Sequence, residues 1–290
     1  MLSQLGISTR PTRRAAVAAA AGAVAAVLAA GCSAGSGLGP GASHQAAGGL
    51  SPTRAITLAA QQAQRVNSAS YALSVRLSGA TSAAIVSRVQ MRIRPSVAMN
   101  LDVTSLSEGG HNVPGGMQEI VNGKTLYLKL ALLQHEFGKP WLAIPFSQIQ
   151  QVTGLNLGQM IQQAQANNPL VQTQMLAVSK NVKAAGTQSI DGVATTEYTG
   201  SYPVSAGLAK LPASLRSMAE QQMRQLGITD MTFRVWIDGQ HMTRKLVAHA
   251  AGTSEQMTVQ AQVTGINQTA TISTPPRSQV ATIPTSKLKG

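Results

Sequence analysis

Apolar and polar residues alternate in several separate runs of the chain, and this period of two constrains the fold most strongly. The first three runs occupy residues 71–77, 88–94 and 97–103. Successive side chains of a β-strand point to opposite faces, so each run predicts a strand with one apolar and one polar face. Three such strands in succession are typical of an antiparallel sheet that is covered on one side.

Short turn sequences separate the later strands. Asn122-Gly123, Asp191-Gly192 and Asp238-Gly239 each lie between apolar runs, and these residue pairs tolerate the positive φ of tight turns. The alternation returns at residues 231–237 and 257–263. Antiparallel hairpins are therefore predicted for this part of the chain as well.

Three stretches have helix-boundary residues or helical spacing instead. Ser51-Pro52 is suited to start one helix, and Pro212 and Gly227 are suited to the first turn and the C-terminal cap of another. A third stretch, residues 148–174, is rich in Gln and is broken by glycines and a proline. Strands in antiparallel runs with a few helical insertions predict an α+β fold.

The N-terminus has the pattern of a signal peptide. Arg10, Arg13 and Arg14 precede a run of 14 small or apolar residues, 15–28. That run is shorter than the ~20 residues that a membrane-spanning helix needs, but it has the length of a signal-peptide core. The paired arginines leave two export routes open, the general secretory route and the twin-arginine route.

Three small residues, Ala29, Ala30 and Gly31, lead to Cys32, the single cysteine of the 290 residues. Signal peptidase accepts small side chains before its cut, and a thiolate is the group that a lipid donor alkylates. The string resembles the lipobox of bacterial lipoproteins, with Ala29 where Leu is usual. We predict cleavage before Cys32, attachment of palmitate-bearing lipid to Cys32, and anchoring on the extracytoplasmic face of the cell membrane. An ordinary secretory signal is the alternative.

Composition divides the chain into four segments. Residues 1–31 are the predicted signal peptide, and residues 32–51, rich in Gly, Ala and Ser, form a flexible tether. Residues 52–276 form one domain, and residues 277–290 form a polar tail. A single cysteine allows no disulfide within the chain, so packing alone must stabilise the domain.

The chain is basic, with a net charge of +13, of which three arginines belong to the signal peptide. Such a balance favours an anionic membrane surface or nucleic acid. Nucleic-acid binding needs aromatic side chains among the basic ones, and the nine aromatic residues are scattered singly. A membrane surface is therefore the better interpretation, and no nucleic-acid partner is predicted.

One basic cluster lies in the second alternating run. Arg88, Arg92 and Arg94 have the same parity, so we expect them on one face of the sheet. Two interpretations stay open: the arginines contact anionic lipid head groups at the membrane surface, or they form a solvated outer face that prevents aggregation.

No residue pattern typical of catalysis occurs. The five histidines lack the spacing of zinc ligands, and the ten acidic residues form no close pair for acid–base work. Residues 31–35 match a nucleophile-elbow motif, but they straddle the predicted cleavage site. We predict a protein that is not an enzyme and that uses no cofactor and no metal.

Several strings occur in the order found in the LppX/LprG lipoproteins of actinobacteria, which share a fold with the periplasmic carrier LolA. The chain resembles this family from Pro52 to Pro276. The strings that carry the resemblance are YALSVRLSG, VNGKTLYLK, KPWLAI, AAGTQSIDGVATTEYTG and FRVWIDGQ. The polar residues of the Gln-rich stretch and the basic charge depart from the family pattern.

The resemblance implies a strongly curved antiparallel half-barrel sheet, with helices over its concave face and an apolar cavity for acyl chains between them. Residues 52–276 would then be a LolA-like lipid-binding domain. Parity places ten residues on the apolar strand faces that would line the cavity. They are Leu73, Val75, Met91, Ile93, Met99, Leu101, Phe233, Val235, Met257 and Val259.

Two functions follow as hypotheses. The first is an envelope-anchored lipoprotein that binds or carries lipid or other acylated molecules in an apolar cavity. The alternative is a structural or sensory envelope lipoprotein whose core is filled by its own side chains and which binds a protein partner. Cavity volume separates them, because a carrier needs several hundred Å³ of connected apolar space.

Overall fold

A computed structural model describes residues 50–79, 82–113, 116–153, 173, 175–209, 213–253, 255–268 and 271–282. Several predicted features lie outside the described residues: the signal peptide, Cys32, most of the tether, most of the Gln-rich stretch and the last eight residues.

The described residues include five α-helices, a short 3₁₀ helix (Arg277–Gln279) and thirteen strands. The helices are α1 (Pro52–Ala63), α2 (Ala131–Phe137), α3 (Phe146–Thr153), α4 (Val204–Leu208) and α5 (Ala213–Leu226). The first seven strands are β1 (Ser68–Gly79), β2 (Ala83–Arg92), β3 (Ala98–Glu108), β4 (His111–Asn112), β5 (Met117–Asn122), β6 (Thr125–Leu130) and β7 (Trp141–Pro145). The others are β8 (Lys183–Ile190), β9 (Val193–Pro203), β10 (Asp230–Asp238), β11 (Thr243–Ala251), β12 (Glu255–Ile266) and β13 (Val280–Thr282).

The described part of the chain divides into two compact units. Unit 1 holds the described residues of 66–153 and 259–282, and unit 2 holds those of 50–65 and 173–258. The division falls inside β12, which has an uninterrupted apolar alternation and therefore gives no boundary signal in the sequence.

The sheet of unit 1 has the strand order β13-β7-β6-β5-β3-β2-β1-β12, and β4 pairs with β3. The pairs from β1 to β7 are antiparallel, whereas β13 and β7 are parallel. A bulge shifts the register of β2 and β3 between Val86 and Ser87. Bulges of this kind bend a strand and increase its twist.

The register sorts the side chains of unit 1 into two faces, because directly opposed residues project to the same side. We call one side the Tyr71 face. Its central row runs across six strands and consists of Tyr71, Val89, Leu101, Glu119, Leu128 and Leu142. The opposite side is the Arg88 face, where the corresponding row consists of Ala72, Arg88, Asp102, Gln118, Lys129 and Trp141.

The C-terminal segment covers part of the Arg88 face. Ile272 packs in a buried cluster with Ile120 and Trp141, and the side-chain amide of Asn122 donates a hydrogen bond to the carbonyl of Ile272 at 2.9 Å. Val280 then pairs with Trp141 in β7. The sheet therefore extends six residues into the segment that was predicted as a polar tail from residue 277.

The sheet of unit 2 has the order β12-β11-β10-β9-β8. The pairs of β10 with β9 and β11, and of β8 with β9, are antiparallel. Strand β8 is the edge, and seven of its eight residues are exposed. Buried Trp236 donates from Nε1 to Gln188 Oε1 at 3.0 Å, and Arg234 and Lys245 lie over its ring.

Gly200 permits close packing between two strands of unit 2. A Cβ at this position would lie 2.6 Å from Cζ of Phe233 and 2.9 Å from Oγ of Ser179. Phe233 is opposite Gly200 in the register, so its ring lies across the bare backbone of the neighbouring strand. Only glycine leaves room for this arrangement.

The predicted helix ends and turns that fall on described residues are confirmed, whereas Pro212 lies outside the described residues. Ser51 caps α1 by accepting a hydrogen bond from the backbone N–H of Arg54, and Gly227 follows α5 with a φ of +68°. Asp191 and Gly192 both have positive φ in the turn between β8 and β9. The prediction of an α+β fold with one large open antiparallel sheet is also confirmed.

Candidate functional site

The predicted cavity residues do not form a single set in the structure. Leu73, Val75, Met91, Met99 and Leu101 lie on the Tyr71 face of unit 1. Ile93 follows the end of β2. Val259 also belongs to unit 1, and the other three predicted residues, Phe233, Val235 and Met257, belong to unit 2.

Most of these ten side chains are buried. Seven of them are less than 9% exposed, whereas Leu73, Ile93 and Met99 are half-buried. Residues this buried pack against the protein itself and offer little free surface to a ligand. A site on the Tyr71 face must therefore be sought where burial is incomplete.

Burial is incomplete at the centre of the row that contains Met99. This row runs from Ala69 through Met91, Met99, Val121 and Leu126 to Ile144. Its flanking members Met91 and Ile144 are 1% and 3% exposed, but the three between them are half-buried. We call Met99, Val121 and Leu126 the apolar strip. Because neighbouring strands lie ~4.8 Å apart, the strip extends about 10 Å across β3, β5 and β6.

A carboxylate lies beside the apolar strip. Glu119 precedes Val121 by two residues on β5 and therefore projects from the same face. Its opposed neighbours Leu101 and Leu128 are 2% and 8% exposed, whereas Glu119 is half-buried. Burial raises the pKa of the Glu119 carboxyl from 4.5 to about 6.

The Glu119 carboxylate has no hydrogen-bond or ion-pair partner within the part of the chain that the structure describes. Of the titratable side chains on the two flanking strands, Asp102, Tyr127 and Lys129 belong to the Arg88 face, and Glu108 lies at the far end of β3. Tyr71 lies in the same row as Glu119 but is separated from it by β2 and β3. A lone carboxylate therefore stands among apolar side chains.

The three predicted membrane-contact arginines are only partly brought together. Arg88 and Arg92 lie on the Arg88 face of β2, opposite the apolar strip. The guanidinium of Arg92 donates to the carbonyl and the hydroxyl oxygen of Ser96, at 3.1 and 3.2 Å.

Arg94 lies outside the strand, two residues beyond the end of β2. Its guanidinium donates from Nε to Asn67 Oδ1 at 2.6 Å and from Nη2 to the carbonyl of Val66 at 3.1 Å. Pro95 follows it, and proline lacks the N–H that a ladder requires. The alternation in the sequence continues past the point where proline ends the strand.

Unit 2 contains a groove of about 660 Å³. None of the ten predicted cavity residues lines it. Its walls include polar side chains such as Gln188, Thr195, Tyr198, Asp238 and His241, whereas most of the surface inside the groove is apolar.

Asp238 is a structural residue of that groove. Its carboxylate is 6% exposed and accepts hydrogen bonds from the backbone N–H groups of Gln240 and Met242, both at 2.9 Å. Arg244 Nε donates to its other oxygen at 2.7 Å. These three donors fix the turn between β10 and β11 and leave the carboxylate fully occupied.

The described residues contain no group of three or more His, Cys, Asp or Glu side chains placed to hold a metal ion. A helix with the length and hydrophobicity to cross a membrane is likewise not found in the described ranges.

The sequence comparisons place few constraints on function. No protein-family model matches the chain. A segment of 111 residues is 27% identical to an uncharacterized 31.2 kDa protein of Streptomyces griseus from the rplA-rplJ intergenic region. The match covers 37% of this chain and 36% of that protein, so it spans about a third of the relative's length.

Several solved structures are similar in fold. The chain is similar to the lipoprotein LppX of Mycobacterium tuberculosis, with 19% identity, a TM-score of 0.43, and coverage of 77% of this chain and 98% of that one. For LprF from Mycobacterium bovis the identity is 13%, the TM-score 0.46 and the coverage 77% and 96%. A LolA superfamily protein from Nitrosomonas europaea gives 10%, 0.25, and 77% and 95%. These structures include LppX and a LolA superfamily protein.

The sequence analysis missed Glu119, Val121 and Leu126. A signal for Glu119 exists, because Met117, Glu119 and Val121 share parity on β5 and the middle residue is charged. The signal is hidden because Ile120, of opposite parity, is also buried. A strand that is apolar on both faces loses the alternation by which its inner residues are recognised.

Proposed function

We propose that this chain is an envelope lipoprotein, anchored through acylated Cys32 on the outer side of the cell membrane, that binds lipid or other acylated molecules. The half-buried apolar strip of Met99, Val121 and Leu126 is the observation that carries the proposal. It supplies accessible apolar surface on a sheet face whose neighbouring side chains are buried.

An acyl chain lying on this strip would be stabilised by leaving water, which contributes ~0.8 kcal/mol per buried methylene. Met99 adds adaptability, because its thioether side chain is flexible and polarizable and adjusts to varied apolar shapes. Reversible binding of this kind needs no catalytic group. A carrier must also release its ligand, and a strip that stays partly open to solvent is suited to release.

Filling the strip tests the proposal. Replacing Val121 with Trp places a large ring over Met99 and Leu126, and we expect the affinity of the mature protein for a fluorescent fatty acid to fall at least tenfold. The control is Val86→Trp, because Val86 is 38% exposed and has the parity of the Arg88 face. Thermal melts verify that both variants fold. Equal affinity in the two variants would exclude the strip as the binding site.

A separate experiment tests the lipid anchor at Cys32, which is proposed from the sequence alone. Cys32→Ala removes the thiol that accepts lipid, so we expect the protein to move from the membrane fraction into the medium. The control Ser33→Ala leaves the thiol in place and stays membrane-bound. Retention of Cys32→Ala at the wild-type level would show that another feature holds the protein at the membrane.

A second function is favoured by the burial of seven of the ten predicted cavity residues, including Val235 at 0% and Met91 at 1% exposure. A core filled in this way fits a structural or sensory lipoprotein that binds an envelope protein. Native mass spectrometry of the protein purified from its own host separates the two functions. Co-purifying lipid supports the first, and a lipid-free protein with a bound polypeptide supports the second.

A further inference from the structure

Glu119 lies on the Tyr71 face, and the binding of an acyl chain to the apolar strip does not require its carboxylate. It lies two residues from Val121, about 7 Å along the strand, and its row neighbours on both sides are leucines. An acyl chain whose head group lies beside Val121 on β5 would hold that group close to this carboxylate.

We propose that Glu119 selects the head group of the ligand, favouring an acyl or alkyl chain that ends in a protonated amine over one that ends in a carboxylate or phosphate. This inference rests on the proposed function of the strip. Glu119 is a specificity-determining residue in this proposal and performs no chemistry.

Among the described residues nothing donates a hydrogen bond to the Glu119 carboxylate. A carboxylate that is partly removed from water without a donor is unfavourable. An ammonium group supplies both the donor and the opposite charge, and such charge-assisted hydrogen bonds are the strong ones. An anionic head group in the same place would add repulsion instead.

The side chains around Glu119 favour a strong preference for a cationic head group. The flanking residues Leu101 and Leu128 are apolar and buried, so they offer no competing charge. The charged side chains Asp102 and Lys129 on the flanking strands belong to the opposite face. Tyr71, in the same row, is buried and its pKa is raised by burial, so it stays neutral over the physiological range.

Three ligands with the same chain test the proposal: dodecylamine, dodecanol and dodecanoic acid, each used below its aggregation concentration to displace a neutral fluorescent probe from the mature protein. At pH 7.5 we expect the amine to bind about tenfold more tightly than the alcohol, the lower end of what a charge-assisted hydrogen bond contributes. We expect the acid to bind more weakly than the alcohol.

Acidification provides a second readout, because the amine stays protonated from pH 8 to 5 whereas Glu119, with a pKa of about 6, does not stay ionised. Affinity for dodecylamine should fall through this window, and affinity for dodecanol should stay constant. In Glu119→Gln the preference for amine over alcohol and the pH step should both disappear. Glu119→Leu serves the same purpose if the Gln variant does not fold.

The outcomes separate the two proposals. If wild type and Glu119→Gln bind amine and alcohol with equal affinity and without a pH step, the selection by Glu119 is overturned while the lipid-binding function stands. If even dodecanol does not bind to the wild type, both proposals fail.

Discussion

Two carboxylates on the sheets of this protein have opposite surroundings. Asp238 in unit 2 is 6% exposed and accepts three hydrogen bonds, two from backbone N–H groups and one from Arg244. Glu119 in unit 1 is half-buried among leucines and accepts none from the described residues. Both carboxylates are at least partly removed from water, but only Asp238 accepts hydrogen bonds that offset the lost hydration.

This difference separates a structural carboxylate from one that is available to a ligand. The desolvation of Asp238 is offset by its donors, so its charge stabilises the turn that it closes. The desolvation of Glu119 is not offset, so its ionised form costs free energy unless something outside the described residues supplies a donor. Asp238 is therefore a structural residue of unit 2, whereas the carboxylate of Glu119 in unit 1 stays available to a partner.

Removing the compensated carboxylate should have the largest effect. Asp238→Ala leaves the Arg244 guanidinium and two backbone N–H groups without an acceptor, and we expect the free energy of unfolding to fall by about 3 kcal/mol. Urea denaturation followed by circular dichroism measures the change.

Asp230, at the other end of β10, is the matched control. It is exposed, and its carboxylate accepts one hydrogen bond, from the hydroxyl of Thr229. Asp230→Ala should therefore change the free energy of unfolding by less than about 0.5 kcal/mol. If Asp230→Ala and Asp238→Ala lower the free energy of unfolding by the same amount, the comparison between compensated and exposed carboxylates is wrong.

Replacing Glu119 with an uncharged residue should raise the free energy of unfolding, and by less than Asp238→Ala lowers it. Its folded pKa of about 6 lies above the ordinary 4.5, so the folded state binds more protons than the unfolded state between these values, and stability falls as the pH rises through the window. Glu119→Gln should therefore be more stable than wild type at pH 7 by about 1 kcal/mol, after allowance for solvent screening of a half-buried group.

The pH dependence of this gain is the sharper measurement. Below pH 4.5 the wild-type carboxyl is protonated in both states, so the gap between wild type and Glu119→Gln should close. The control is Glu108→Gln, at an exposed strand end. We expect this variant to have the same free energy of unfolding as wild type at both pH values. If the difference in free energy of unfolding between wild type and Glu119→Gln stays constant from pH 7 to pH 4.5, the desolvation of the Glu119 carboxylate is offset after all.

The arginines of unit 1 should have the smallest effect on stability. Replacing Arg88 and Arg92 together with Gln should change the free energy of unfolding by no more than about 0.5 kcal/mol. If these residues contact lipid head groups, the same variant should bind anionic vesicles more weakly than wild type. Wild-type binding should then fade with salt, because exposed charges are screened within ~10 Å at 0.1 M.

Arg94→Gln is the comparison variant in that experiment. It removes hydrogen bonds to Asn67 and to the carbonyl of Val66, so it should affect stability more than it affects vesicle binding. Vesicle binding by the Arg88 and Arg92 double variant that is unchanged, and unaffected by salt, would leave only the solvated-face interpretation of these residues.

Features with a local cause were predictable from the sequence. Turns such as Asp191-Gly192 follow from the φ values that two adjacent residues tolerate, and Ser51 caps α1 through a contact three residues away. The faces of β1 to β3 followed from alternation, because one side of each strand carries most of the polar residues.

Features with a distant cause were not predictable. Ile120 is buried by Ile272, and Val280 joins a strand that ends at Pro145; neither pairing has a signature within a short window. Burial on both sides of β5 then hides the parity of Glu119. The partial exposure of the apolar strip is likewise a property of what covers the sheet, which alternation along one strand does not report.

The composition of unit 1 has a consequence for the order in which the protein can fold. Its strands come from two stretches of the chain, 66–153 and 259–282 in the described residues, with the described residues 173–258 of unit 2 between them. The backbone N–H of Asn67 donates to Asn267 Oδ1, and the hydroxyl of Ser68 donates to the carbonyl of Gln268, both at 2.6 Å.

A chain that emerges from its N-terminus can pair β1 with β2 and β3 as soon as these hairpins are free. It cannot form the contacts of Asn67 and Ser68, or add β13 to β7, until some 200 further residues have followed. Closure of such long loops is slow, and unpaired strand edges are open to aggregation in the interval. Completion of unit 1 therefore comes late in synthesis, long after β1 to β3 have been able to pair.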